Sequence, residues 1–453
     1  MENHKRSAGF ALTILFAINM MNFFDRNMLG PVVEPIRKEW HLNDARIGWL
    51  ATAFTLLYAV VGVPLGRLSD RWNRTRILSL GVALWSLLTA ATGIAWNFAA
   101  LFVARLGVGI GEASCAPASN SLIGDFYPAA RRARALSIFM LGLPLGIFFS
   151  NLVSGRLAAS YGWRFPFFVA CVPGLLLAAL ALLIPEPQRG AAESSPMPQQ
   201  PRHSSPYWNV LRIPTMLWII ASGAVSNFMA YAMATFLPAF LSRYHALSLR
   251  TSAAIAAVVL GAVGVPGLLL GGWAADRMRR ARPNGRLLVS AAALFLAAPC
   301  MYLALRRSAG DLVPFMALLG TGWMLQFVYY SGVYAAVQDV IEPNLRATAM
   351  ALYFCAMYLL GGSFGPVLTG RLSDFLARRA MLAAGATAMA EPFRAAGLHS
   401  AMYLMPACSL LLAAVLFAAS QTVAADMHAL QRWMQQPSAG VPVSAQAVGQ
   451  NGD

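Results

Sequence analysis

Twelve long apolar runs limit what this chain can become. Each is about 20 residues or more, enough to cross roughly 30 Å of hydrocarbon as a helix. Lipid offers no hydrogen bonds, so a spanning backbone must satisfy its own amides, and a helix does so within one segment. The expected spans, numbered 1 to 12, centre on residues 10–33, 47–66, 76–95, 98–126, 134–158, 164–184, 215–241, 252–273, 287–305, 312–338, 347–371 and 398–420. The fold class is therefore an all-α membrane protein of twelve transmembrane helices. Composition agrees: 58% of the 453 residues are hydrophobic and 11% are charged, against about 25% charged in soluble domains.

The formal net charge of +16 does not point to nucleic acid. The arginines are scattered through short loops between apolar runs, the pattern of the positive-inside rule. With the N-terminus inside, the inside segments of the first half carry twelve Lys and Arg, and the outside segments carry five: Arg37, Lys38, Arg46, Arg156 and Arg164. Both termini are thus expected in the cytoplasm; for the second half the even span number decides. Lysine is confined to Lys5 and Lys38 and alanine is abundant, which suits a GC-rich bacterial genome and hence the inner membrane. No cleavable signal peptide is expected, because the first apolar run is too long and no small-residue cleavage site follows. Cys115, Cys171, Cys300, Cys355 and Cys408 lie in apolar stretches without a Cys-x-x-Cys pair. Free thiols are expected, with no disulfide framework, metal or cofactor.

Residues 185–213, rich in Pro, Ser, Gln and Ala, read as a flexible cytoplasmic linker between six-helix halves at 8–184 and 214–421. Residues 422–453 read as a disordered cytoplasmic tail. The halves repeat each other. Gly66-Arg-Leu-Ser-Asp70-Arg71 after span 2 matches Gly272-Trp-Ala-Ala-Asp276-Arg277 after span 8. Pro128-Ala-Ala-Arg131 matches Pro343-Asn-Leu-Arg346, and Ser154-Gly155-Arg156-Leu157 matches Thr369-Gly370-Arg371-Leu372. Three matches at corresponding loops argue for pseudo-symmetry about an axis along the membrane normal, with a site at mid-membrane between the halves.

Span 4 contains Arg105-Leu-Gly-Val-Gly-Ile-Gly-Glu112-Ala-Ser-Cys-Ala-Pro117. Arg105 and Glu112 are two helical turns apart on nearly one face. A charge in lipid costs on the order of 3 kcal/mol or more unless it is paired or hydrated. A structural ion pair is the bland reading; a functional site is the sharper one. Asp25 and Arg26 lie in span 1, at adjacent positions about 100° apart. Counted from the outer ends, Arg105 is about 9 Å deep, Asp25 about 12 Å and Glu112 about 20 Å. Asp25 can pair with Arg105 if spans 1 and 4 are neighbours. Snorkelling to the lipid interface is the bland reading of Asp25 and Arg26. A desolvated carboxylate is a proton-binding candidate and a nearby arginine opposes this, so Glu112 ranks first and Asp25 second. Arg105, Arg26, Asn22, Ser114, Asn227, Tyr231, Tyr330 and Tyr334 are candidate substrate or charge partners. Trp323, Phe327, Tyr330 and Tyr334 form a stripe in span 10 that suits a cavity wall or ordinary packing. Gly66, Asp70, Arg71, Arg74, Asp276 and Arg277 are candidates for gating between the halves. No enzyme motif, whether H-E-x-x-H, G-x-S-x-G or a P-loop, is present.

With these residues in view, the chain resembles the major facilitator superfamily over about residues 8–421, on its G-R-L-S-D-R-W-N-R loop and its Arg105-x-x-x-Gly109 element. Within that superfamily it is most similar to bacterial spinster-like transporters. N-F-F-D-R in span 1, E-P-I-R-K-E-W-H-L after it, the span 4 stretch and Y-G-W-R before span 6 carry the similarity. The resemblance implies a monomeric secondary transporter working by alternating access, with spans 1, 4, 7 and 10 lining the cavity. It implies protons and an amphipathic lipid-like substrate of lysophospholipid or sphingolipid type as partners, and Asp25, Arg105 and Glu112 as the functional group. Span 5 lacks the Gly-Pro pair of the antiporter motif, which leaves antiport unsupported. The organic anion:cation symporters share the span 1 Asp-Arg and R-x-x-x-G-x-x-E patterns, so a proton-coupled symporter of small organic anions is the alternative. A non-transporting receptor would need an output domain that the short polar tail does not offer.

Overall fold

The computed structural model describes residues 2–188, 206–342 and 345–435, and within them the chain is helices joined by short turns. Span 1 is Glu2–Asn27 continued by Leu29–Glu39, span 2 Asp44–Arg71 and span 3 Arg74–Gly93. Span 4 is Phe98–Glu112 with Cys115–Phe126, span 5 Ala129–Met140 with Gly142–Tyr161, and span 6 Phe165–Ala181. In the second half, span 7 is Pro214–Tyr244 and span 8 is Leu249–Ala256, a π-helical turn Ala257–Ala262 and Gly264–Ala281. Span 9 is Gly285–Leu305 and span 10 Leu312–Val340. Span 11 is Arg346–Ala356, a second π-helical turn Met357–Gly362 and Phe364–Ala383; span 12 is Glu391–Met402 with Leu404–Gln435. Among the described residues eleven of these are long and apolar enough to cross a bilayer, and span 6 is a shorter apolar helix.

Prolines explain the interruptions. A proline has no N–H to give the carbonyl four residues earlier, and its ring pushes against that carbonyl. The first segment of span 1 ends at Asn27, four residues before Pro31; that of span 5 at Met140, before Pro144; that of span 12 at Met402, before Pro406. The π-helical turns end at Ala262 and Gly362, four residues before Pro266 and Pro366. Span 4 is capped at Ala113, four residues before Pro117. Pro35, Pro64, Pro173, Pro238 and Pro299 sit inside unbroken segments, so proline is needed for these breaks without being sufficient.

One expectation needs correction. Residues 422–435 are not a disordered tail: span 12 runs on to Gln435. The stretch is rich in Ala, Met, Leu and Gln, which favour helix. Asp426 accepts the Thr215 amide at 3.0 Å and so caps span 7, with Val423 and Met427 buried beside it. In the linker region, Pro206–Leu211 is a short helix that buries Val210; residues 189–205 and 436–453 lie outside the described residues.

Span 1 begins and span 12 ends at one end of the bundle, since the span number is even; this is the termini end, and the opposite one is called the far end below. At the termini end the buried apolar core is divided. One cluster, from Ala8 to Ile184, belongs to the first half, and another, from Val210 to Met427, belongs to the second. At the far end a single cluster runs through both halves, joining Val32, Val33 and Leu50 to Phe236, Phe240, Leu260 and Met402. The halves are therefore joined at the far end. Span 2 packs on span 11 there, and span 5 on span 8. The repeat glycines sit at these two crossings: an added Cβ at Gly370 would run into the Asp44 carbonyl, and one at Gly155 into the Ala253 methyl.

Ions hold the span 2–span 11 side. Arg243 of span 7 donates to Glu34 at 2.8 Å and to Asp44 at 2.9 Å, with all three side chains nearly buried. Arg37 bridges Glu34 at 2.7 Å and Glu391 at 2.8 Å. Asp374 accepts the amides of Asp44 at 3.1 Å and Ala45 at 2.9 Å, so span 11 caps the N-terminus of span 2 across the half boundary. Deeper in, Thr52 donates to the Ser363 carbonyl at 2.5 Å. Replacing Arg243 by glutamine leaves Asp44 buried without its cation and Glu34 with Arg37 alone, a loss of about 3–5 kcal/mol for one broken buried pair. The far end is expected to open. A single cysteine at Ala234, in a chain otherwise free of cysteine, should then react faster with an impermeant maleimide. Gly370→Val should act in the same direction, by collision rather than by charge. A rate equal to that of the parent in both variants would show that neither contact holds the end shut.

Candidate functional site

Spans 1 and 4 meet where both are broken. Arg26 and Glu112 stand immediately before the two breaks, and irregular backbone at membrane depth is tolerated only where protein or a cavity satisfies it. Glu112 is fully buried, and its Oε2 accepts from Arg26 Nη2 at 3.1 Å, Arg26 Nε at 3.3 Å and Asn22 Nδ2 at 3.0 Å. Its Oε1 has no hydrogen-bond partner. Arg26 also donates to Asn22 Oδ1 at 3.0 Å.

The second half answers Arg26 with hydroxyls. Arg26 Nη1 donates to the phenols of Tyr358 at 3.1 Å and Tyr231 at 3.4 Å. Its guanidinium carbon lies 4.6 Å from the ring centre of Tyr58, 4.8 Å from that of Phe54 and 5.6 Å from that of Tyr358. A cation held over a ring face in a dry site gains about 2 kcal/mol from a good geometry. The rings continue from Tyr358 through Phe354 to Tyr334, and on to Tyr330 and Phe327. The result is a charged pocket on one half facing an aromatic wall on the other.

Arg105 and Asp25 are placed differently from the expected pair. Arg105 lies within 4 Å of no carboxylate; it donates to the backbone carbonyls of Asp25 at 3.3 Å and Arg26 at 3.4 Å. Both carbonyls lie in the last turn before the span 1 break, where the Asp25 carbonyl also accepts the Met28 amide at 3.4 Å, and a cation at the C-terminal end of a helical segment is favourable. Asp25 is fully buried, neither of its oxygens has a hydrogen bond, and its side chain turns toward Trp85 of span 3. The 100° between adjacent helical positions decides this: with Arg26 at the half boundary, Asp25 points into the first half. Ser114 donates to the Gly111 carbonyl at 2.8 Å and packs on Gly81 of span 3, away from the pocket. Asn227 donates at 3.0 Å to the Met357 carbonyl, at the π-helical turn of span 11. Trp323 and Phe327 are core residues, whereas Tyr330 and Tyr334 are half-buried.

Of the gating candidates, Gly66, Asp70 and Arg71 lie outside the described side chains. Arg74 is fully buried and binds Asp125, Ser121 at 2.8 Å, Glu186 at 2.7 Å and the Pro187 carbonyl at 2.9 Å. Its counterpart in the second half is Arg286, which binds Asp339 at 2.6 Å and Asp276 at 3.0 Å. Asp276 therefore pairs with Arg286, while Arg277 is exposed. Sequence reasoning missed Arg286, Asp125 and Asp339, although an aspartate stands three or four residues before each of the aligned Pro128 and Pro343. It also missed Tyr58, Tyr358 and the far-end ions, of which Glu34 and Arg37 lie in the E-P-I-R-K-E-W-H-L stretch without any sign there of their partners across the halves. No group of His, Cys, Asp and Glu among the described residues is arranged to hold a metal.

Known proteins share this architecture. A "MFS-type efflux pump" of Mycolicibacterium smegmatis is 31% identical over 378 residues, covering 82% of this chain and 86% of the relative. Human "Protein spinster homolog 1" is 30% identical over 392 residues, covering 81% and 73%. Among solved structures, a bacterial homologue of the human lysosomal transporter spinster, inward-facing and unoccupied, superimposes with a TM-score of 0.83 at 27% identity, covering 93% of this chain and 98% of that one. These relatives are transporters, not enzymes. The family model described as Major Facilitator Superfamily matches residues 15–366, and on that span the chain belongs to this superfamily, in its spinster-like branch.

Proposed function

We propose that the chain is a proton-coupled secondary transporter that moves an amphipathic lipid-like molecule of the lysophospholipid or sphingolipid type by alternating access. The observation that carries this reading is the Arg26–Glu112 pair, seated at two helix breaks and faced by tyrosines of the other half. A polar head group would compete for Arg26, and the rings from Tyr358 to Phe327 would lie along an acyl chain. The likeness to spinster proteins supports the substrate class, and the likeness to an efflux pump supports transport. Among the described residues no lysine or arginine of the second half approaches this pocket; Arg243, Arg279 and Arg286 stand at the ends of the bundle. This weighs against the small organic anion.

Glu112 and Asp25 are the proton sites of this reading. Glu112 Oε1 has no bond to lose when it takes a proton. Neutralising Glu112 frees Arg26 from its carboxylate, so protonation and substrate capture use one switch. Asp25, without any donor on its oxygens, gains most from holding a proton while the far end is shut. In this reading both termini are cytoplasmic in a bacterial inner membrane and the protein works as a monomer. Residues 185–213 link the halves, and the sealed far end faces outward, as in the inward-facing relative.

Proteoliposomes test this. Lysolipid added to the wild type should drive proton flux, and Glu112→Gln should lower that flux by about tenfold or more, the scale of losing one buried polar contact. An undiminished, lysolipid-driven flux in Glu112→Gln would remove Glu112 from the proton path. Tyr334→Ala should weaken half-saturation for a long-chain lysolipid more than for a short-chain one. An equal loss for both would mean that Tyr334 does not lie along the chain.

A further inference from the structure

Just beyond Arg26, toward the far end, is a small, partly enclosed cavity of about 20 Å³, lined from the first half by Arg26, Asn27, Leu29, Gly30, Ala51, Phe54 and Arg105, and from the second by Tyr231, Ala234 and Thr235. It has room for at least one atom-sized ligand.

The lining is cationic. Two guanidiniums border it and no carboxylate does. Glu112 is committed to Arg26, and Asp25 turns away toward Trp85. Arg105 is 1% exposed, its two bonds are long ones to carbonyls, and its Nε has no partner at all. Tyr231 accepts from Arg26 and so keeps its own O–H proton to donate. The N-terminus of the second segment of span 1, Leu29–Glu39, adds Leu29 and Gly30 to the wall, where the helix dipole is positive. Asp25 and Glu112 act on Arg105 only through space and give it no hydrogen bond, so a buried donor is left over that a small anion could take.

We propose that this cavity is a monovalent-anion site that takes one chloride ion. The ion would lie between Arg105, Arg26 and Tyr231. Because span 7 of the other half forms part of the wall, occupancy requires the far end to be shut. Chloride would therefore favour the sealed state over the open one, in proportion to its binding to the first alone. The inference does not depend on which substrate the transporter carries.

The full-length protein in detergent, at fixed pH and ionic strength, tests this as gluconate is exchanged stepwise for chloride or bromide. Both halides should raise Tm saturably, and ³⁶Cl⁻ should bind at one ion per chain and be displaced by bromide but not by sulfate. Ala51→Leu fills the cavity from the first half and Ala234→Val narrows it from the second, and neither touches a charge. Whichever of them folds should weaken ³⁶Cl⁻ binding by about tenfold or more, the loss expected when an ion gives up one good contact. Arg105→Gln should do the same, with Arg105→Lys partly restoring binding. Equal stability of the wild type in chloride and gluconate, with no bound ³⁶Cl⁻, would overturn the proposal and leave the cavity to water. So would binding that the cavity-filling and Arg105 variants leave unchanged, since the ion would then sit elsewhere.

Discussion

A guanidinium at the middle of a membrane has to be answered from several sides at once, and Arg26 sets that demand here. Its partners come from four spans: Asn22 on its own helix, Glu112 on span 4, Tyr231 on span 7 and Tyr358 on span 11, with the Phe54 and Tyr58 rings of span 2 against its face. Two of these partners belong to the second half. Holding Arg26 therefore also holds the halves together, and any ligand that claims this guanidinium loosens the seam. The remaining polar groups of the region follow from it. Arg105 donates to the Asp25 and Arg26 carbonyls beside the span 1 break, and Asn227 answers the matching irregularity in span 11.

The fold was legible because apolar runs and arginine-bearing loops act at short range. Span edges mostly fell within a few residues of the helices observed, and the repeat of Ser154-Gly155-Arg156 at Thr369-Gly370-Arg371 marked the two crossings where the halves touch. Each break stands four residues before a proline visible in the sequence, but five other prolines sit inside unbroken segments, so proline alone does not mark a break. The edge of span 12 was misplaced because polarity was taken for disorder. Asp426 is polar in order to cap span 7, not because its segment is loose.

The site was legible in membership but not in pairing. Asn22, Arg26, Glu112 and Tyr231 do come together, yet depth counts along two helices could not say which of Asp25 and Arg26 faces span 4. That depends on helix rotation, which is fixed by packing between halves. Arg243, Asp44 and Asp374 carry no local signal, because their partners are roughly 200 to 330 residues away. The symmetry was instructive and incomplete: the span 2–span 11 crossing carries these ions, whereas its span 5–span 8 counterpart packs Gly155 on Ala253.

That asymmetry bears on how easily such an end can part. Grease pulled apart in water is left wet, and the cost grows with every square ångström exposed. Carboxylates and guanidiniums pulled apart are hydrated at once, and each recovers much of what it gave up on burial. A seam closed by Arg243, Arg37, Glu34, Asp44 and Asp374 is thus firm when dry and readily soluble when water arrives. Small events at the centre of the molecule are then enough to tip it.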